Sequence, residues 1–408
     1  MQMPLHWTSI FCLAPLTATS LIFTAGCGPD LPIEELRAMG PLSPSMVPPS
    51  PTNAVADTPR AAALGQALFF DEQLSADGAV SCASCHDPRN NFADTRPLSL
   101  GVEEREGTRH APTLMNLAFQ DFYFWDGRTD SLWSTPLQAI EAEAEGDFSR
   151  VEVAHLMAER HREGYEAVFG PLPSLDGFPA QGQPGEGPWQ ALSPSQQETI
   201  NRIFANTGKA LEAYQRQLVC ADTKFDRVMA GEAQFTEPEA EGARHFVGSG
   251  KCAACHSGIN FSDSGFHRVP IPGLGADDLG RAEGVASLLE NIFNSAGDFS
   301  DDAGAGADIL AEVDFDPSDR GAFKTPTLRG VAQRRTFGHL GSVRTLEGWL
   351  EEVYMRRGRG GQRGGAGGDG FAPELDGIRF NPRAMAAFLR TLNCAPLPAA
   401  LTQPPGQD

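Results

Sequence analysis

Two stretches decide how this chain reads: Ser81-Cys82-Ala83-Ser84-Cys85-His86 and Lys251-Cys252-Ala253-Ala254-Cys255-His256. Each follows a short helical segment and a turn. The first helix is expected over 60–70, with Thr58 as N-cap and Pro59 at the first helical position; the second is expected over 237–246. Helix, turn and Cys-x-x-Cys-His therefore occur twice, about 170 residues apart, as a loose internal duplication of one domain type. Cys-x-x-Cys-His is the c-type haem attachment signature, in which two thiols form thioethers and the next residue is placed under the iron. A zinc half-site wants Cys and His in fours, and a redox cysteine pair does not account for the histidine after each pair. The expectation is two covalent haems c on Cys82, Cys85, Cys252 and Cys255, with His86 and His256 as iron ligands.

Outward from these motifs, the 408 residues are enough for two or three domains, and 41% hydrophobic with 21% charged residues is a globular composition. Ser193-Pro194 opens a long helix whose face carries Ile200, Ile203, Phe204, Thr207, Leu211, Tyr214 and Leu218 at helical spacing. A last helix is expected over 382–392, and strand signals are scarce. Gly/Pro/Gln-rich 177–187, Gly/Asp/Ala-rich 277–319 and Arg/Gly-rich 356–370 read as loops. The fold class is mainly α: two cytochrome-c-like haem domains with long loops, over 58–218 and 219–396, then a tail at 397–408.

The 53 acidic and 32 basic side chains give a net charge of −21, which argues against a nucleic-acid partner, since phosphate needs a basic face. Residues 1–26 contain no Lys, Arg, Asp or Glu and end Phe23-Thr24-Ala25-Gly26 before Cys27, which reads as an export signal. Cys27 after Ala-Gly resembles a lipobox, with the cysteine acylated, although Thr24 stands where Leu is usual; plain cleavage is the alternative. The expected location is the periplasm or outer surface, lipid-anchored through Cys27. Pro-rich 27–57 reads as a semi-rigid, largely disordered tether.

Of the eight cysteines, Cys12 falls in the signal, Cys27 in the lipobox and four in the haem motifs. Cys220 and Cys394 remain, and an oxidising compartment predicts a disulfide between them; two separate buried thiols are the alternative.

The strings Ala63-Leu64-Gly65-Gln66-Ala67-Leu68-Phe69-Phe70-Asp71, Arg109-His110-Ala111-Pro112-Thr113-Leu114-Met115-Asn116, Phe124-Trp125-Asp126-Gly127-Arg128 and Phe323-Lys324-Thr325-Pro326-Thr327-Leu328-Arg329, taken with both haem motifs, resemble the bacterial di-haem cytochrome c peroxidase family, including the MauG-like enzymes. The resemblance spans about residues 58–396. It implies an active site near the domain interface, hydrogen peroxide reduced at the haem of His86, and electrons relayed through the haem of His256 from a small cytochrome c or cupredoxin. It leaves a homodimer open. Trp125 matches the tryptophan between the haems, and the catalytic glutamate twenty residues further on corresponds to Glu145, within a run that also holds Glu141 and Glu143. The family's glutamine ten residues after the tryptophan is replaced by Thr135, with Gln138 nearby.

His110 stands where the family has an asparagine at a calcium site, and Arg334-Arg335 lie on its other side. Imidazole is a poor calcium ligand and guanidinium repels a cation, so calcium is expected to be absent or weakly held. His110 reads instead as a removable distal ligand of the first haem or as a hydrogen-bonding interface residue. The second haem's distal ligand, Met in the peroxidases and Tyr in MauG-like enzymes, sits fourteen residues after a His-x-Gly motif. From His339-Leu340-Gly341 that count reaches Val353, which cannot ligate, and Tyr354 and Met355 follow. A one-residue insertion brings Tyr354 into place; Met355 is the alternative. The readings are a peroxidase first, a MauG-like oxidase of a partner protein's side chain second, and a plain electron-transfer cytochrome third.

Overall fold

Thr58 accepts a hydrogen bond from the Ala61 amide and Pro59 takes the first turn, so the first helix runs Pro59–Phe69. The computed structural model describes residues 31–406, except 274, 276, 312, 315, 317, 318, 356–374, 376 and the side chain of Met355. The export signal, Cys27 and most of the Arg/Gly loop lie outside the described residues. The fold is mainly helical; the only sheet among the described residues pairs Phe266–His267 antiparallel with Phe323–Lys324.

One unit occurs twice. Helix Pro59–Phe69 crosses the long helix Pro194–Gln215, and helix Glu237–Val247 crosses Pro382–Arg390. Each crossing turns on a glycine: a Cβ on Gly65 would collide with the Ala210 carbonyl, and one on Gly242 with that of Ala384. Four residues beyond each contact point the crossings are closed by aromatic pairs. Phe69 meets Tyr214 and Phe246 meets Phe388, both with ring centroids 5.1 Å apart. Four residues later again, Leu218 accepts from the Asn116 amide and Leu392 from the Gly330 amide, both at 2.8 Å. Tyr123 and Thr129 bridge in one copy, as Phe337 and Val343 do in the other. By this correspondence Trp125 and His339 occupy equivalent places. The first copy's core gathers Phe69, Phe92, Trp133, Phe204 and Tyr214; the second is an aromatic cluster of Phe225, Phe246, Phe261 and Phe388.

Three loop readings are corrected. Within the expected tether, residues 32–57 are packed: Leu36, Met39 and Leu42 are buried. The Leu42 amide donates to Asp226 Oδ1 at 3.1 Å, and Asn53 Nδ2 to Glu212 at 2.9 Å. Asp57 pairs with Arg216 at 2.8 Å. Proline content suggested a spacer, but the apolar residues between the prolines find a surface to bury. The stretch 277–319 contains helices Arg281–Glu290 and Ala303–Leu310, because Val285 and Leu288 share an inward face that composition alone hid. The tail begins by returning to the first copy, where Leu401 accepts the Tyr214 hydroxyl at 2.6 Å. Residues Pro32–Asp408 pack as one unit.

Candidate functional site

Each Cys-x-x-Cys-His lies in a single tight turn, with the histidine amide returning to the carbonyl of the first cysteine: His86 to Cys82 at 2.9 Å and His256 to Cys252 at 2.8 Å. His86 Nδ1 lies 3.1 Å from the Phe92 carbonyl and 3.0 Å from that of Pro112. His256 Nδ1 lies 3.0 Å from the Phe261 carbonyl. Carbonyl oxygens only accept, so both Nδ1 atoms carry the proton and both Nε2 atoms carry the lone pair a metal takes. Burial lowers both imidazole pKa values, which keeps the rings neutral.

The carbonyls are held by a matched device: Thr113 Oγ1 donates to Asn91 O at 2.5 Å, and Thr327 Oγ1 to Asn260 O at 2.6 Å. The signal for it was present in the sequence as Asn-Phe-Ala-Asp94 and Asn-Phe-Ser-Asp263, each followed later by Pro-Thr-Leu. Cys82, Cys85, Cys252 and Cys255 are not disulfide-bonded, whereas Cys220 and Cys394 are joined across 174 positions. Burial, and then the neighbouring thiol of each pair, pushes Cys82 and Cys252 up to about 12. The residues at both motifs fit a covalently held haem with a proximal imidazole.

The acidic run separates by environment. Glu141 is clamped by Arg150 at 2.7 and 2.8 Å, and Glu143 is exposed. Glu145 is turned toward Cys82 and Cys85, whose pKa values its charge helps raise. Burial lifts its carboxyl above its ordinary value, opposed by Arg128. Its carboxylate has no hydrogen-bond or ion-pair partner among the described residues. A carboxylate so placed is poised to take and return a proton. Gln138 accepts from Arg128 Nε at 2.9 Å, while Thr135 is tied to Thr129 and Ser131.

Trp125 sits where the two copies meet. Its indole N–H donates to the His110 carbonyl and its own carbonyl accepts from the Lys324 amide, both at 2.8 Å. Its ring stands edge-on to His339 with centroids 6.2 Å apart, and His339 is stacked on Phe323 at 3.7 Å. Asp126 is held by Arg109 and Arg128, and Arg109 reaches on to Asp278 at 2.8 Å.

Both ring nitrogens of His110 are engaged in hydrogen bonds. Nδ1 lies 3.1 Å from the carbonyls of Arg96 and Pro97, and Nε2 lies 2.9 Å from Thr336 Oγ1. Burial lowers its pKa to about 4, so a neutral ring donates to the carbonyls and accepts from the threonine. The buried Arg334 guanidinium donates to the Thr327 and Arg329 carbonyls at 3.0 and 3.1 Å. Thus His110 and Arg334 bring nitrogen donors to carbonyl oxygens where the resemblance has calcium. At the second motif, Tyr354 is half-buried near Cys252 and Cys255, with its hydroxyl pushed up by desolvation first and by the two thiols next. It lies in a π turn, Leu350–Met355, which accommodates one more residue than an α-helical turn.

A family model described as di-haem cytochrome c peroxidase matches residues 59–234. The cytochrome-c peroxidase IdrP2 of Denitromonas iodatirespirans is 31% identical over 82% of this chain and 82% of that protein. The methylamine utilization protein MauG of Methylorubrum extorquens is 29% identical over 98% and 96%. The cytochrome c551 peroxidase of Nitrosomonas europaea is 28% identical over 72% of each. Among solved structures, a MauG-like protein associated with microbial copper homeostasis shares the fold with a TM-score of 0.63, at 24% identity over 88% of this chain and 97% of its own. The diheme peroxidase BthA of Burkholderia thailandensis does so at 0.60, with 19% identity over 89% and 92%. With two matched imidazole sites, and a peroxidase relative aligned across four-fifths of both chains, the chain belongs to the di-haem cytochrome c peroxidase family of oxidoreductases.

Proposed function

We propose that this protein is an exported di-haem c peroxidase that reduces hydrogen peroxide to water with electrons from a small cytochrome c or cupredoxin. Each copy of the duplicated unit is a haem domain, the first peroxidatic and the second an electron relay. The observation that carries the reading is Glu145, the one member of the acidic run left without a partner, facing the first cysteine pair. When bound, the haems supply the iron chemistry and the electron route.

The chain's own residues do the rest. The carbonyls of Phe92 and Pro112 fix the His86 ring and strengthen its Nε2 as a donor. Glu145 accepts a proton from one oxygen of hydrogen peroxide and returns it to the other, which leaves as water; two electrons from the donor and two protons from solvent turn the remaining oxygen into the second water. Arg128 opposes the effect of burial and keeps a share of Glu145 ionised. Trp125 places its indole between the copies as the coupling residue. The Cys220–Cys394 bond supports export to an oxidising compartment, the periplasm or outer surface, with Cys27 as lipid anchor.

Tyr354, half-buried beside Cys252 and Cys255, favours a second reading. An anionic oxygen ligand stabilises ferric and higher states, which suits a MauG-like oxidase acting on a partner protein's side chain. One experiment separates the two. Stoichiometric peroxide is added to the diferric protein, with and without a reduced small cytochrome. Fast reoxidation of the cytochrome supports the peroxidase; a long-lived oxidised state without donor turnover supports the oxidase. No reaction, with both haems low-spin throughout, sinks both.

A further inference from the structure

The interval that carries the Tyr123–Thr129 bridge onto Phe337–Val343 also carries His110 onto Lys324 and Gln120 onto Arg334. The backbone keeps the match. The His110 amide donates to the His339 carbonyl at 2.7 Å, and the Lys324 amide to that of Trp125 at 2.8 Å. Equivalent places at the junction thus hold an imidazole and a carboxamide from the first copy, and two cations from the second.

Among the described residues, neither cation has a carboxylate within ion-pair reach. Lys324 is buried, and its ammonium donates to the Gln120 side-chain oxygen. Arg334 is half-buried. One of its terminal nitrogens serves the Thr327 and Arg329 carbonyls, and its Nε is shielded from solvent with no hydrogen-bond partner. Three carboxylates of the surrounding loops are already taken: Asp126 by Arg109 and Arg128, Asp278 by Arg109, and Asp94 by Arg96. Burial, and then the Arg334 charge, lowers Lys324 to about 8, with Asp121 opposing as the smallest influence. Like charges brought together out of water are costly, and buried charges in proteins are paired.

A haem attached through its vinyl groups still carries two propionate carboxylates. We propose that Lys324 and Arg334 form a carboxylate-binding site at the junction of the two copies, which takes a haem propionate and raises that haem's potential. The proposal rests on the haem reading of the two motifs and is independent of which reaction the haems perform. A fixed positive charge at a propionate favours the iron state that holds the extra electron. It also makes the two copies differ, since Gln120 and the neutral His110 offer no such charge. An inorganic anion such as phosphate has the same chemistry, so the test separates the two sources.

The test uses the ferric holoprotein with Lys324→Met and Arg334→Met. Midpoint potentials of both haems are read by redox titration, propionate bending modes by resonance Raman, and stability by thermal melting. We expect each variant to shift the reduction equilibrium of one haem about tenfold toward ferric, which is about 59 mV, and to move its propionate mode. K324M should also melt at a lower temperature, because it strands a carboxylate; removing a cation that has no anion would raise that temperature. Potentials and modes unmoved in both variants overturn the proposal, and unmoved in R334M alone they overturn the part of Arg334. Unmoved modes, with a melting temperature that added phosphate raises in the wild type but not in K324M, assign the cations to a free anion and overturn it as well. If K324M loads haem poorly, R334M decides by the same readouts. Purified wild type without a c-type haem spectrum overturns the haem reading itself, and the proposal with it.

Discussion

Glu141, Glu143 and Glu145 stand two residues apart and meet three different surroundings. The first answers a buried guanidinium, the second faces solvent, and the third is half-buried without a hydrogen-bond partner for its carboxylate. Glu145→Gln keeps the shape and removes the base, so the rate of reaction with peroxide should fall by about 10²–10⁴-fold. Glu143→Gln should leave that rate unchanged. The pH profile follows from the direction of the shift. Burial raises the Glu145 carboxyl above its ordinary 4.5, and only the ionised form accepts a proton. The peroxide rate should therefore rise with pH through a midpoint above 4.5, and E145Q should abolish that limb; stopped-flow absorbance across the acid range checks both.

At the scale of elements, the fold depends on two helix crossings without room for a methyl group. Gly65→Ala or Gly242→Ala drives a Cβ into a partner helix's backbone, which cannot rotate away as a side chain can. Each should cost about 1–3 kcal/mol, read as a lowered thermal midpoint. Gly187→Ala, where nothing lies within 4 Å and no left-handed backbone is needed, should be close to neutral. The second matched element is the loop after each haem motif. Its Asn-Phe segment and its Pro-Thr-Leu segment are pinned together by a threonine hydroxyl, so that two carbonyls converge on one Nδ1. Thr327→Val should loosen this clamp and be visible in the EPR of the second ferric haem while leaving the first unchanged.

Across the whole molecule, specific bonds tie distant parts of the chain together. The Cys220–Cys394 bond closes a loop of 174 positions, and replacing both cysteines by serine should cost about 2–5 kcal/mol in an unfolding titration. The strap at 32–57 is bonded both to Asp226 and to Glu212, so it spans the two copies. Calcium offers a further check. Where His110 donates to the Arg96 and Pro97 carbonyls and Arg334 is buried nearby, a divalent cation would have to displace a protein donor and sit beside a fixed charge. A ligand that binds only the folded state raises its melting temperature. Neither added calcium nor a chelator should shift that temperature here.

Much of this was open to reading in the sequence, because the chemistry is local. Cys-x-x-Cys-His sets two thiols and an imidazole within one turn whatever surrounds it, and Pro after Ser or Thr starts a helix by the same short-range rules. The cysteine count pointed to the Cys220–Cys394 pair for the same reason: four cysteines were already spoken for at the haem motifs. What stayed hidden depends on contacts between residues far apart. Three glutamates of one chemistry are told apart only by what folds against them. His110 reads from sequence as a ligand or an interface residue, and only the fold brings the carbonyls of Arg96 and Pro97 and the hydroxyl of Thr336 onto its ring. Counting fourteen residues from His339 stopped at Val353 because the count assumes an α-helix. The chain there is a π turn, Leu350–Met355, which holds one more residue than an α-helical turn and so changes which residue the count reaches. The sequence by itself determined the two Cys-x-x-Cys-His turns and the helical class, since both follow from short-range spacing. Only the tertiary structure decided which of the three acids is left without a partner and how the ring of His110 is closed, because burial and hydrogen-bond closure are set by segments apart in the chain, from Arg150 on Glu141 to Thr336 on His110.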